Sequence, residues 1–138
     1  MIKIIMGQKG TGKTKAFVNI VNEAIGDEKG NVVCITKGNR LLYDLKSSVR
    51  FVDTSDFDID CYYTFYGFIC GIISRDFDIT HIFVDNLSKI VSDDFSKIDK
   101  FLDLIFAISK QFNIKFTISI SADVETATDA IKKYLIDY

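Results

Sequence analysis

The sequence predicts an α/β domain: a five-stranded parallel sheet with helices on both faces, three layers in all. Three observations predict it. Short apolar runs alternate with longer helix-period segments along the whole chain. One run, Ile82-Phe83-Val84, is apolar without a break, as a central strand buried on both faces requires. Finally, 138 residues, 48% of them hydrophobic, suit one domain spanning 1–138, large enough to bury roughly two-thirds of its unfolded surface.

Each element follows in order. The first strand is Ile2–Met6. A glycine-rich loop leads into a helix over Lys13–Ile25, where Phe17, Ile20, Val21 and Ala24 share one face and Gly26 is the expected C-cap. The second strand is Asn31–Thr36, and a short helix is expected over Asn39–Leu45. The third strand is either Val49–Val52 or Asp58–Cys61. A helix over Tyr63–Ser74 places Phe65, Phe68, Ile69, Ile72 and Ile73 together. The fourth strand is His81–Asp85. A long helix over Asp93–Phe112 is expected to start from Ser92 as N-cap, with Asp93 and Asp94 in its first turn. The fifth strand, Ile114–Ile120, alternates apolar residues with Lys115, Thr117 and Ser119, the pattern of a sheet edge. A last helix is expected over Val124–Leu135.

Composition narrows the function classes. The net charge of −2 gives no basic excess, so charge does not indicate a nucleic-acid partner. Three cysteines, Cys34, Cys61 and Cys70, form no C-x-x-C pair; they read as buried free thiols of a cytoplasmic protein rather than a disulfide or zinc framework. The longest apolar run, Phe65–Ile73, is well short of the roughly 20 residues of a membrane span, so no membrane partner is expected.

One motif carries chemistry. Gly7-Gln8-Lys9-Gly10-Thr11-Gly12-Lys13-Thr14 matches G-x-x-x-x-G-K-[ST] in full, between a predicted strand and a predicted helix. Glycines let backbone N–H groups converge on phosphate oxygens, and the helix N-terminus behind them adds positive potential. Lys13 supplies a point charge for the β/γ-phosphates and the Thr14 hydroxyl a Mg²⁺ ligand; Thr11 is a further phosphate donor. With glycine near about 7% of residues, such a match arises by accident about once in a hundred chains of this length or fewer. The nucleotide site is therefore read as Gly7, Gln8, Lys9, Gly10, Thr11, Gly12, Lys13, Thr14 and Lys15. Asp85, closing the apolar strand His81–Val84, is the second Mg²⁺ ligand; Asp53 is its weaker rival.

On these residues the chain resembles a P-loop NTPase over almost its full length. The resemblance is to the RecA-like and AAA-like division, which carries an additional strand. It implies strand order 5-1-4-3-2, bound ATP and Mg²⁺, and a polar residue sensing the γ-phosphate, here Ser119 or Ser121. Hydrolysing members of that division carry a glutamate after the acidic strand end. This chain has Asn86, whose amide orients a water without taking its proton. The catalytic set is accordingly read as Lys13, Asn86 and Ser119, with Asp123 and Glu125 as substitute carboxylates. The arginines Arg40, Arg50 and Arg75 are each open to a role as a charge-stabilising finger in an oligomer but read first as surface residues, and His81 as structural. Of the expected functions, the first is an ATP-binding protein, with slow or partner-dependent hydrolysis, that switches a protein partner or its own self-association. A nucleotide-gated single-strand-binding module, resembling the first RecA-like domain of a superfamily 1 helicase, is the second. The third is a small nucleoside kinase. The nearest approach to a guanine-reading motif, Thr36-Lys37-Gly38-Asn39, ends in Asn, which favours ATP over GTP.

Overall fold

A computed structural model describes residues 1–138. Five parallel strands form one sheet: β1 (Ile2–Gly7), β2 (Asn31–Thr36), β3 (Arg50–Asp53), β4 (Ile79–Val84) and β5 (Lys115–Ser121). The principal helices are α1 (Lys13–Asp27), α2 (Tyr62–Arg75) and α4 (Ile98–Phe112). Two single-turn helices, α3 (Leu87–Ile90) and α5 (Asp129–Lys132), complete the set. No helix is long and apolar enough to cross a membrane.

Side-chain alternation along the strands divides the core in two. Ile4, Met6, Val33, Ile35, Ile82, Val84, Phe116, Ile118 and Ile120 face α2, α4 and α5, and pack with Phe65, Ile69, Phe101 and Ile105. Ile5, Val32, Cys34 and Phe83 face the other way, against Phe17, Val21 and Ala24 of α1 and Leu41, Leu45 and Val49 of the connection after β2. Helices on both faces of a parallel sheet are what the continuous apolar run in β4 requires.

The strand order is β1-β5-β4-β2-β3, not the predicted 5-1-4-3-2. β5 is central rather than an edge. Its alternation misleads because Thr117 and Ser119 are not solvated: both are buried and hydrogen-bonded, Thr117 Oγ1 with His81 Nε2 at 2.9 Å and Ser119 Oγ with the backbone N–H of Asn86 at 2.7 Å. A satisfied buried hydroxyl reads in sequence like an exposed one. β1 pairs with β5 on one side only. Its other side is closed by the chain's last residues, where Ile4 donates to the Tyr134 carbonyl at 2.8 Å and accepts from the Ile136 N–H at 2.9 Å.

That pairing also shortens the last predicted helix. Val124–Thr126 forms a 3-10 turn, α5 spans four residues, capped by Thr128, Lys133 and Tyr134 form a turn, and Leu135 bridges to Ile4 of β1. The short helix expected over Asn39–Leu45 is a series of turns. Gly26 lies inside α1, whose C-cap is Glu28. The third strand is Arg50–Asp53, near the first of the two alternatives. The long helix begins at Ile98 after a 3-10 turn, Phe95–Lys97. Its expected cap residues serve elsewhere: Asp93 accepts from the Tyr62 N–H at the start of α2, and Ser92 donates to the Asp60 carbonyl. The cysteines are free, but only Cys34 is buried; Cys61 and Cys70 are half-exposed.

Candidate functional site

The loop between β1 and α1 turns on two glycines in the left-handed region, Gly10 at φ 90° and Gly12 at φ 82°. A side chain there would strain the backbone. Thr11 folds back inside the loop, its N–H and hydroxyl both donating to the Gln8 carbonyl, at 3.3 and 2.8 Å. Gly7 is closely approached instead. A Cβ there would meet the Tyr138 hydroxyl, the far end of a side chain that would have to shift, and that hydroxyl also meets the Thr11 hydroxyl at 2.7 Å. At the start of α1 the N–H groups of Gly12, Lys13, Thr14 and Lys15 have no acceptor in the protein, and no side chain caps the helix. Four free donors on a helix N-terminus make a concentration of positive potential.

Lys13 is 7% exposed, and its Nζ donates to Ser121 Oγ at 2.8 Å. Burial depresses its pKa; the Asp85 carboxylate opposes this, and the Arg40 charge adds to it. Asp85, one residue beyond β4, is 8% exposed. Its pKa is raised, by burial above all, against the pull of Arg40, the Ser119 hydroxyl, Lys13 and Lys89. Ser119 connects the two strand ends, donating to Asp85 Oδ1 at 3.3 Å and accepting from Asn86 N–H.

The loop and Lys13 border a cavity of about 530 Å³ that has no hydrophobic residue in its wall. Gln8, Lys9, Gly10, Gly12, Lys13, Thr14 and Lys15 form the loop side, and Asn86, Ser121 and Arg40 the remainder. Four cations and no carboxylate line it. Asp85 opens instead into a small adjoining recess, shared with Arg40, Thr36 and Lys89. A larger cavity, about 860 Å³, lies between the starts of α2 and α4. Its wall mixes Asp93, Asp99 and Asp103 with Lys97 and Lys100, so it offers no field of one sign.

Most residues read from the motif therefore meet in one place, with four exceptions. Gly7 and Thr11 do not line the cavity; Thr11, expected as a phosphate donor, has its hydroxyl engaged by Gln8 and Tyr138. Ser119 is fully buried behind Asp85, and of the two serines Ser121 faces the cavity. Asp85 reaches the cavity only through the recess it shares with Arg40. Asn86 does line the cavity, and its backbone is left-handed, φ 52°. Asparagine tolerates that region better than glutamate, so its identity has a conformational cause beside any chemical one.

The rival Asp53 holds the Gly38 and Ser55 N–H groups at 2.8 and 2.9 Å on the edge strand, away from the loop. Asp123 caps the turn at Glu125 and accepts from Gln8 Nε2 at 3.1 Å, while Glu125 is exposed. Arg40 is exposed, as the sequence reading had it, and it also lines the cavity, because it follows β2 at the C-terminal edge where parallel sheets place ligands. One residue was missed. Tyr138 gave no signal, because only the pairing of 134–136 with β1 brings it to the loop.

No protein-family model matches the chain, and no curated protein matches it.

Proposed function

We propose that the chain binds a nucleoside triphosphate, ATP in preference, together with Mg²⁺, and acts as a small P-loop switch on a partner. One observation carries the reading: a glycine loop presents the unpaired N–H groups of Gly12–Lys15 and the buried Lys13 to a cavity walled by four cations and no acid. An elongated polyanion suits this wall, and an apolar ligand does not. Mg²⁺ would be held by the Thr14 hydroxyl and the Asp85 carboxylate, hard oxygen donors of the kind that ion takes alongside phosphates and water. When bound, it would screen the charge of the phosphate oxygens.

The chain's own residues divide the remaining work. Lys13, held by Ser121, fixes a charge against the phosphates. Ser119 orients Asp85 and the backbone of Asn86. Asn86 has no proton-accepting group for an attacking water, so binding is expected to exceed turnover.

Calorimetric titration of Mg²⁺-ATP into wild type and Lys13→Ala, with phosphate release followed in parallel, tests this. Saturable binding by wild type and loss of at least about 100-fold in the variant are expected for a charge-assisted buried contact. Equal affinity in the two proteins would end the proposal.

A further inference from the structure

We infer that Arg40 is the terminal-phosphate contact of this site, the residue through which the chain tells a nucleoside triphosphate from a diphosphate. The inference rests on the phosphate-binding reading above and goes beyond it, because Arg40 belongs to no part of the loop motif.

The geometry singles it out. Lys9, Lys13 and Lys15 all come from the loop and the first turn of α1. Arg40 comes from the turns after β2, and it is the one cation that lines both the loop cavity and the recess holding Asp85. Its guanidinium makes no hydrogen bond or ion pair within the protein, in contrast to Arg50, which is fixed to Asp76 at 2.8 Å. Arg40 is also exposed, so nothing in the fold requires an arginine there. It is nonetheless close enough to influence the charge of both Lys13 and Asp85.

A free planar fork beside an acidic group and a cation-walled cavity has two uses. It can neutralise Asp85, or it can take two oxygens of a phosphate in a bidentate contact. Mg²⁺ at Asp85 would replace the first use and leave the second. The loop N–H groups and Lys13 serve any phosphate chain. Arg40, set on a separate element at the Asp85 side, adds a contact that only the longer chain reaches.

The test is affinity, not turnover. Mg²⁺-ATP and Mg²⁺-ADP are titrated by calorimetry into wild type, Arg40→Ala, Arg40→Gln and Arg40→Lys, with urea unfolding midpoints as the folding control. Wild type is expected to prefer ATP by about tenfold or more, the worth of one charge-assisted contact. Arg40→Ala and Arg40→Gln should bring the ratio to near one while ADP affinity stays within about twofold. Arg40→Lys should restore part of the preference. An unchanged ratio in both neutral variants, or an equal loss for both nucleotides, overturns the role of Arg40. Binding of neither nucleotide by wild type overturns the phosphate reading itself, and this inference with it.

Discussion

β4 and β5 carry a charged cluster at each end, and the two differ in one respect. At the N-terminal end, Glu28 binds Lys115 at 2.8 Å, His81 stacks on Phe83 with ring centroids 4.0 Å apart, and His81 Nε2 meets Thr117. Its neighbouring cavity is walled by Lys3 and Lys115 together with Glu23, Asp27 and Glu28, and so is mixed in sign. At the C-terminal end, the cavity wall holds Lys9, Lys13, Lys15 and Arg40 and no acid. The first cluster is nearly closed on itself; its loose ends are Thr80 Oγ1 and His81 Nδ1, neither of which has a hydrogen bond, the latter lying 3.7 Å from Glu28 Oε2. The second leaves a row of donors facing outward. Buried charge alone therefore does not mark a functional site. An excess of one sign, opening on a cavity, distinguishes the two ends.

The largest expected effect breaks the comparison directly. Lys13→Ala should lower Mg²⁺-ATP affinity by at least about 100-fold, while Lys115→Ala leaves it within about twofold, both read by calorimetry. A comparable loss in Lys115→Ala would mean the two ends do not differ in the way described.

Next in size is a change of opposite sign in stability and function. Burial raises the Asp85 pKa, so its ionised form is disfavoured in the folded protein relative to the unfolded chain. Ionising Asp85 therefore costs more in the folded protein than in the unfolded chain. Asp85→Asn should therefore raise the urea midpoint and abolish the Mg²⁺ dependence of ATP binding. A lower midpoint would show that the attraction of Arg40 and Lys13 outweighs the burial.

The N-terminal cluster should instead appear in the pH dependence of folding. Burial holds the His81 pKa down at about 4, although Glu28 pulls it upward and Lys115 and Lys3 act with the burial. The unfolded chain, with an ordinary histidine near 6.5, binds the proton first. Stability from this group is thus complete above pH 6.5 and falls as pH drops toward 4. The urea midpoint should decline from pH 7 to pH 5 in wild type and decline less steeply in His81→Leu; parallel slopes would remove His81 as the cause. The smallest effect is expected from Tyr138→Phe, which deletes one exposed hydrogen bond to Thr11. It should cost about 0.5 kcal/mol of stability.

Much of the fold was legible. The β1, β2 and β4 runs, the apolar faces of α1, α2 and α4, and the α/β layering all follow from periodicity, because burial in a layered fold imposes it. Most of the cavity wall was legible too, since Gln8–Lys15 is contiguous and its glycines are demanded by local backbone geometry. What could not be read was pairing. Thr117 and Ser119 looked solvent-facing until β4 supplied partners for them, and Val124–Leu135 looked helical until Ile4 supplied an alternative for its last residues.

The sequence by itself determined the loop, its left-handed glycines and the helix behind it, because these depend on residues adjacent in the chain. It also determined that Asn86, and not a glutamate, follows Asp85. Only the tertiary structure decided which strands are neighbours, and so that Ser121 holds Lys13, that Ser119 is buried behind Asp85, that Arg40 stands beside both Lys13 and Asp85, and that Tyr138 covers Gly7. Those contacts join residues up to 131 positions apart at their widest, Gly7 to Tyr138 (138 − 7). Hydrophobic periodicity places each element on a face of the sheet but is blind to strand order, which depends on how the elements pack together.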